Sequence, residues 1–388
     1  MSYGCPSYRL EEVIRVVADI EGYRAQAFAL PTGLFVSLDV PGAGGPVLRM
    51  IRVRFWATNL ERLVEVDAIL NDVAERRSSI RDARRRLGEL DLRPPPYPPA
   101  LKWVATAVVS AAAAVFFRGG PVEIGVAGIT GVLVALFGWL MAKNPSGRFL
   151  VDFVGGLFAA LLAWGFSRVQ PDLSREVIVL SGVIALVPGM TLTTGLAELT
   201  QKNLVSGAAR LMEAFVAFLS ILFGIALAIG AQKVAGVASP VAAAAREGLP
   251  LPYQAAALLA ASLAFAVIFS VPRRYIGAAV ASGAIGYIAT ALGTRYLPGH
   301  VAAFAAALAI SVFANALARV TNRPAQLFQL PGMMLLVPGS FGFLSLDDFL
   351  RGDFLNGAAK GFQMLLIAGA LVTGVLLANV ILSPRKLL

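Results

Sequence analysis

The sequence has little charge and almost no thiol or imidazole chemistry. Only 14% of its 388 residues are Asp, Glu, Lys or Arg, against about 25% in a typical soluble domain. A single cysteine, Cys5, excludes an intramolecular disulfide and a cysteine-based metal cluster. There is one histidine, His300, and we find no phosphate-loop, HExxH or GxSxG motif. The sequence therefore predicts no metal, no cofactor, no ATP-driven pump and no enzyme.

The charges that are present are unevenly distributed. Residues 1–100 hold 14 basic and 13 acidic side chains, as a soluble domain would, whereas residues 101–388 hold 19 and 10 among long apolar runs. Most of the net charge of +10 therefore belongs to the apolar part, where basic residues at segment ends are typical of membrane interfaces and do not indicate nucleic acid. We predict a soluble domain at 1–92, a stiff proline-rich linker at 93–100 and a membrane domain embedded in the lipid bilayer.

The N-terminal domain combines two kinds of pattern. Apolar residues recur at helical spacing in three stretches, and short β-rich runs surround turn residues between the first and second of them. This order predicts a small α+β domain, with helices over 8–21, 60–75 and 79–90 and strands over 25–30, 34–38 and 47–56.

Ten apolar segments follow, each of about 17–25 residues, which is enough to cross ~30 Å of hydrocarbon. They fall into a first group at 101–232 and a second at 255–388, joined by a linker at 233–254. The first five are 101–117, 122–141, 149–167, 177–199 and 208–231, and the second five are 255–271, 273–292, 300–318, 326–347 and 358–382.

A break in the fourth segment recurs in the ninth. Pro188-Gly189 interrupts the fourth, and Pro338-Gly339 lies 150 residues later. Between 186–214 and 336–364, eight of 29 positions are identical. Because five crossings is an odd number, the second copy would enter from the opposite side. The predicted fold is an all-α polytopic membrane protein of ten transmembrane helices, arranged as two inverted five-helix repeats with broken helices 4 and 9, plus the α+β domain.

The orientation rests on one basic cluster. Six arginines between residues 76 and 86 precede the first segment and favour a cytoplasmic N-terminal domain. Ten crossings then place the C-terminus in the cytoplasm too, in a multi-pass protein of the bacterial inner membrane. The other loops hold eight Lys/Arg on each side and favour neither orientation. A homo-oligomer is compatible with the sequence.

Broken membrane helices expose polar backbone, which a substrate or the surrounding protein must satisfy. Their free ends suit a zwitterion, since one end attracts a carboxylate and the other a cation. The alternative is a Pro/Gly kink that binds nothing. We predict as substrate-binding residues the two breaks and the polar residues near them, namely Pro188, Gly189, Thr191, Thr193, Thr194, Ser206, Arg210, Pro338, Gly339, Ser345, Asn356 and Lys360.

Acidic residues in the membrane domain are costly and are candidates for carrying protons. Headgroup depth is the alternative for each of them. An Arg210–Glu213 gate pair is a further hypothesis, because these residues are one helical turn apart. The proton-coupling candidates are Glu198, Glu213, Asp152, Asp347 and Asp348.

Five short motifs together are typical of one known family, and they are Tyr8-Arg9-Leu10-Glu11-Glu12, Leu30-Pro31-Thr32-Gly33, Val187-Pro188-Gly189, Ser206-Gly207-Ala208-Ala209-Arg210 and Leu336-Val337-Pro338-Gly339. Through these motifs the sequence resembles the threonine/serine exporter family. The resemblance implies a soluble N-terminal domain, ten membrane segments and proton-driven export of small hydroxylated amino acids. Some two-chain relatives are linked to dicarboxylate export instead.

Three functional hypotheses follow. The first is a secondary exporter of threonine or serine, working by proton antiport with alternating access. The second is an exporter of a small dicarboxylate such as succinate, because Arg210 and Lys360 together would suit two carboxylates. The third is a membrane-anchored sensor or enzyme, but ten segments and an internal repeat exceed what an anchor requires.

Overall fold

The structure is a computed structural model that describes residues 5–40, 42, 45–53, 58–144, 147–235 and 248–384. Its N-terminal part contains three helices and an antiparallel sheet of strand order β1-β2-β3. Asn59 and Ser79 cap two of the helices by accepting hydrogen bonds from backbone amides. The elements are α1 (Ser7–Ile20), β1 (Arg24–Leu30), β2 (Gly33–Asp39), β3 (Val47–Arg52), α2 (Leu60–Ala74) and α3 (Ile80–Leu92). The predicted third strand, 47–56, includes residues 54–56, which lie outside the described ranges.

The remaining described chain folds into helices. They are α4 (Pro99–Phe116), α5 (Pro121–Ala142), α6 (Val151–Val169), α7 (Arg175–Gly182), α8 (Gly189–Thr200), α9 (Leu204–Val234), α10 (Leu251–Ile268), α11 (Ile276–Gly293), α12 (Gly299–Thr321), α13 (Gln326–Met333), α14 (Gly339–Leu350) and α15 (Phe354–Ile381). Eight of those described are long and apolar enough to cross a membrane, and they exclude α7, α8, α13 and α14. Large apolar side chains such as Phe223 and Phe362, 65% and 63% exposed, lie on their outer faces. These features indicate a multi-pass membrane protein.

The predicted fourth and ninth segments are each a pair of short helices. Backbone that is not helical separates α7 from α8 and α13 from α14, and Pro188 and Pro338 stand at the N-caps of the second halves. Proline suits this place because the first amides of a helix have no partner within it, and its fixed φ continues into the helix. The fifth segment begins earlier than predicted, at Leu204, because the turn between α8 and α9 is short.

The two sets of helices make equivalent contacts. α5 packs against α7 as α11 packs against α13, and α8 packs against α9 as α14 packs against α15. Between the sets, α8 contacts α15 while α14 contacts α9, and α4 contacts its counterpart α10. Such an exchange of partners is what a two-fold relation between like units produces.

The offset between equivalent residues is not constant along the chain. A Cβ added to Gly131 would clash with the Ser110 hydroxyl, and one added to Gly283 would clash with the Ser262 hydroxyl. These matching glycine–serine contacts between the first two helices of each set are related by 152 residues. The offset is 150 at the breaks and 152 here, because the first copy has two more residues than the second between these glycines and the Pro-Gly break.

The N-terminal part is attached directly to the membrane helices. The first amides of α2 donate to the carbonyls of the two residues that follow α10, Leu60 to Phe269 at 2.9 Å and Glu61 to Ser270 at 3.0 Å. Each helix end thereby satisfies groups that the other leaves without partners. Tyr97, which lies in the proline-rich stretch, is buried and donates to the Val271 carbonyl at 2.7 Å. That stretch is therefore anchored at Tyr97, where the sequence predicted a spacer.

Candidate functional site

The two Pro-Gly breaks touch each other. A Cβ added to Gly189 would clash with Val337 and lie 3.6 Å from the Gly339 Cα, and one added to Gly339 would clash with Val187 and lie 3.7 Å from the Gly189 Cα. Each break therefore meets the equivalent residues of the other. Only glycine permits this approach, which explains why it follows proline in both copies.

Thr193 is the most buried of the predicted threonines. It is 8% exposed, and its hydroxyl donates to the Gly189 carbonyl at 3.0 Å, one turn earlier in α8. Thr191 and Thr194 are half-buried on the same helix. Thr193 thus donates its one hydroxyl proton within its own helix, and its hydroxyl oxygen can still accept a hydrogen bond from another group.

At the far end of α8 lies a buried ion pair. Glu198 is fully buried, and the Arg210 Nε donates to its Oε2 atom over 3.1 Å. The Ser206 hydroxyl donates to the same oxygen. Burial of a charge is tolerated only when it is paired and hydrogen-bonded, and both conditions hold here.

The N-terminal part reaches this ion pair. The Ser7 amide at the start of α1 donates to the Glu198 Oε1 atom over 3.1 Å, and the Ser7 and Ser206 hydroxyl oxygens are 2.8 Å apart. A serine hydroxyl has one proton, and that of Ser206 points to Glu198. Ser7 must therefore donate to Ser206. Ser7 was not among the predicted site residues, since no local pattern links residues 191 positions apart.

The equivalent positions of the second set form another ion pair. The Lys360 Nζ atom lies 2.6 Å from the Asp348 Oδ2 atom, and these side chains are 36% and 15% exposed, against 8% and 0% for Arg210 and Glu198. Asn356, the counterpart of Ser206, is exposed and donates to Asp353.

A glycine brings the two helices of each pair together. A Cβ added to Gly207 would lie 2.7 Å from the Gly195 carbonyl oxygen, and one added to Gly357 would lie 2.9 Å from that of Ser345. Ser345 also donates its hydroxyl proton to the Gly357 carbonyl at 2.7 Å. The motifs Ser-Gly-Ala-Ala-Arg and Asn-Gly-Ala-Ala-Lys thus position a cation against an acid on the preceding helix.

A third ionic group joins the two sets. Arg351, in the turn between α14 and α15, lies 2.8 Å from Asp347 and 2.8 Å from Glu176 at the start of α7. Arg351 and Glu176 were not among the predicted site residues, and they are 175 positions apart in the sequence.

Asp152 and Glu213 occupy a separate place, where α6 packs against α9. They are close enough to interact electrostatically, and neither forms an ion pair within the described part of the chain. The hypothesis of an Arg210–Glu213 gate is wrong in this structure, because the Arg210 side chain turns inward to the buried Glu198 and Glu213 is exposed.

The predicted binding residues are thus spread along the molecule. Ten residues of helix separate Pro188 from Glu198, and at about 1.5 Å per residue this is ~15 Å. The central breaks, the Glu198–Arg210 pair and the Asp348–Lys360 pair are three distinct regions. Among the described residues, no group of three or more His, Cys, Asp or Glu could hold a metal.

Comparison with known proteins finds transport families. A family model for threonine/serine exporters, ThrE, matches residues 1–231, and a second, described as Threonine/Serine exporter, ThrE, matches residues 254–381. No solved structure matches the chain.

Individual relatives are distant. A protein named Probable threonine/serine exporter from Mycobacterium tuberculosis is 26% identical over 88% of this chain and 66% of its own length. The Threonine/serine exporter of Corynebacterium glutamicum is 25% identical over 83% and 67%. Pheromone-regulated membrane protein 10 of Yarrowia lipolytica is 26% identical over 58% of this chain and 19% of its own. The chain thus spans about two thirds of the bacterial relatives and a fifth of the yeast one.

Proposed function

Because the chain belongs to the threonine/serine exporter family, we propose that it exports a small hydroxylated amino acid, threonine or serine, from the cytoplasm by secondary transport. The family consists of transporters and not of enzymes. The reciprocal contact between the breaks at Gly189 and Gly339 carries this proposal, since such a junction between two like units is where many transporters bind substrate.

The arrangement of the turns supports inverted repeats. The turn between α8 and α9 lies at the end where Ser7 meets Glu198. Its counterpart between α14 and α15 carries Arg351, which contacts Glu176 at the start of α7. Because α7 and α8 lead from Glu176 toward Glu198, equivalent turns belong to opposite ends. This favours ten crossings, with the half-helix pairs as crossings four and nine.

The paired charges favour an amino acid over a dicarboxylate. Arg210 and Lys360 each lie against an acid, Glu198 and Asp348, so neither presents an isolated positive charge to a second carboxylate. An amino acid has one carboxylate and one ammonium group. It can therefore exchange with an existing acid–base pair without leaving a charge unbalanced.

Proton antiport would use the membrane acids. The neighbouring Asp152 and Glu213 are the first candidates for proton binding, because neither is paired with a cation among the described residues. Glu198, Asp347 and Asp348 all face cations, so their protonation would require those pairs to open. Alternating access would supply that opening.

The proposal is tested by efflux from proteoliposomes preloaded with labelled threonine, serine or succinate, with and without an imposed pH gradient. We expect threonine and serine efflux accelerated by the gradient, and none of succinate. Efflux of succinate without threonine would overturn the assignment. Threonine efflux that ignores the gradient would exclude proton antiport alone.

A second experiment tests the inverted arrangement. In a Cys5→Ser background, which has no other cysteine, Gln201→Cys and Arg351→Cys occupy equivalent turns. We expect a membrane-impermeant maleimide added outside cells to label the Arg351→Cys protein only, and Gln201→Cys to be labelled after the cells are opened. Labelling of both from one side would contradict the inversion.

A further inference from the structure

Ser7 presents two donors to the buried pair. Its amide hydrogen points to the Glu198 carboxylate and its hydroxyl to Ser206. In free serine or threonine, an ammonium group and a β-hydroxyl are attached at the same two carbons as the amide and hydroxyl of Ser7. Ser7 therefore presents to Glu198 and Ser206 the same pair of donors as the substrate of the proposed function.

We propose that Glu198, Ser206 and Arg210 form a binding subsite for a β-hydroxy-α-amino acid at the N-terminal-domain end of the membrane helices, and that Ser7 occupies it as a built-in substrate mimic. This inference rests on the proposed function. Glu198 receives the ammonium group, Ser206 receives the hydroxyl and Arg210 faces the carboxylate. The incoming substrate displaces Ser7 and lifts the start of α1.

The substrate supplies a stronger donor to Glu198 than the Ser7 amide that it displaces. A neutral amide is a weaker donor to a carboxylate than an ammonium group, because hydrogen bonds between two charged partners are stronger. The substrate thus outcompetes Ser7 when its concentration is high enough. Only molecules in which Ser7 has left the subsite can bind substrate. The apparent affinity for substrate is therefore the intrinsic affinity multiplied by the fraction of molecules with an open subsite.

The second copy has no serine at the position that corresponds to Ser206. There the counterpart of Ser206 is Asn356, whose side chain donates to Asp353 and not to the acid of the pair. The hydroxyl-accepting position next to the carboxylate is therefore a property of the first copy, at the end that the N-terminal part covers.

Cys5 provides a native reporter of this displacement. It is the chain's one cysteine, lies two residues before Ser7 and is 5% exposed. Burial raises the pKa of its thiol to about 11, so the reactive thiolate is scarce while α1 is docked. Lifting the start of α1 exposes the thiol to solvent and accelerates its alkylation.

The experiment measures the rate at which N-ethylmaleimide labels Cys5 in the full-length protein in lipid nanodiscs. We expect saturating threonine or serine to raise the rate at least fivefold. Valine, which replaces the threonine hydroxyl by a methyl group, and succinate should leave it unchanged. No change with threonine, or an equal change with valine, overturns the inference.

A variant gives an independent readout. Ser7→Ala removes the hydroxyl and keeps the backbone amide, so we expect faster basal labelling and a threonine affinity about fivefold higher, the size of one lost neutral hydrogen bond. Ser79→Ala, which removes a helix-capping hydroxyl elsewhere in the N-terminal part, should change neither. Equal behaviour of the two variants contradicts the mimic.

Threonine efflux from the same preparation separates this inference from the proposed function. Efflux with unaltered Cys5 labelling removes the mimic and leaves the exporter assignment intact. Absence of both threonine efflux and threonine binding removes both.

Discussion

Two ion pairs occupy equivalent positions in the two halves of the membrane domain, and their surroundings differ. Glu198–Arg210 is buried beneath α1, with the Ser7 amide and the Ser206 hydroxyl completing the shell of the carboxylate. Asp348–Lys360 remains partly exposed. The duplicated sequence supplies the same chemistry twice, and a third element makes the two copies unequal.

The difference has energetic consequences. A partly exposed pair is solvated by its surroundings and contributes little, whereas the members of a buried pair depend on each other for stabilisation. The two copies should therefore respond differently to the same chemical change. Three experiments follow from this comparison.

The largest effect is expected from Glu198→Gln. It preserves shape but removes the buried negative charge that faces Arg210, which costs about 3–5 kcal/mol of the free energy of unfolding. Asp348→Asn is the matched change at the partly exposed pair and should cost about 0–1 kcal/mol. Denaturant unfolding of purified protein in detergent measures both. Equal losses would show that burial beneath α1 does not distinguish the copies.

Equivalent substitutions on the two sides of the contact between the breaks should lower the stability by similar amounts. Gly189→Ala pushes a methyl group into Val337, and Gly339→Ala pushes one into Val187, each at about 1–3 kcal/mol for overpacking. Combining Gly189→Ala with Val337→Ala removes the clashing methyl groups and should restore most of the lost stability. The mirror combination is Gly339→Ala with Val187→Ala. Rescue in one half without the other would mean that the junction is asymmetric as well.

The smallest effect concerns the start of the last helix in each copy. Asp353 caps α15 by accepting from the Asn356 amide, whereas Asn203, at the matching position before α9, makes no such bond. Hydrogen bonds from Asn356 hold the pKa of the Asp353 carboxyl below its usual value. Asp353→Ala should lower the melting temperature slightly and Asn203→Ala should not.

The effect at Asp353 also has a defined pH dependence. Because its pKa is lowered in the folded protein, the stabilisation is complete above the unfolded value of about 3.9 and is lost as the pH falls through the folded value. The difference between wild type and Asp353→Ala should therefore vanish in strong acid. A difference that persisted there would not come from the carboxylate.

The broad architecture could be predicted from the sequence. The apolar composition predicts long membrane helices with outward-facing side chains such as Phe223 and Phe362. Pro188 and Pro338 each stand where the second half of a broken segment begins. The pairing of Glu198 with Arg210 could have been predicted too, since the same spacing of twelve residues separates Asp348 from Lys360. Helical spacing instead favoured Glu213, the nearer acid on the same helix, as the partner of Arg210. Close approach at Gly207 makes the cross-helix partner available.

Other features could not be predicted. The contacts of Ser7 with Glu198, of Tyr97 with Val271 and of Arg351 with Glu176 each join residues more than 170 positions apart. No periodicity or motif encodes them, because they depend on how finished helices stack. The offset between equivalent residues, which is 150 at the breaks and 152 at Gly131 and Gly283, could not be predicted either. A match between small residues is only a weak signal in a sequence comparison.

The sequence by itself determined which stretches are apolar, where the broken segments break and that the breaks come as a pair. These properties depend on local composition and on the local backbone constraints of proline and glycine. Only the tertiary structure decided that the breaks touch and that one of two equivalent ion pairs is covered by the N-terminal helix. Burial and partner choice depend on chain segments far apart in sequence, and packing alone brings those together.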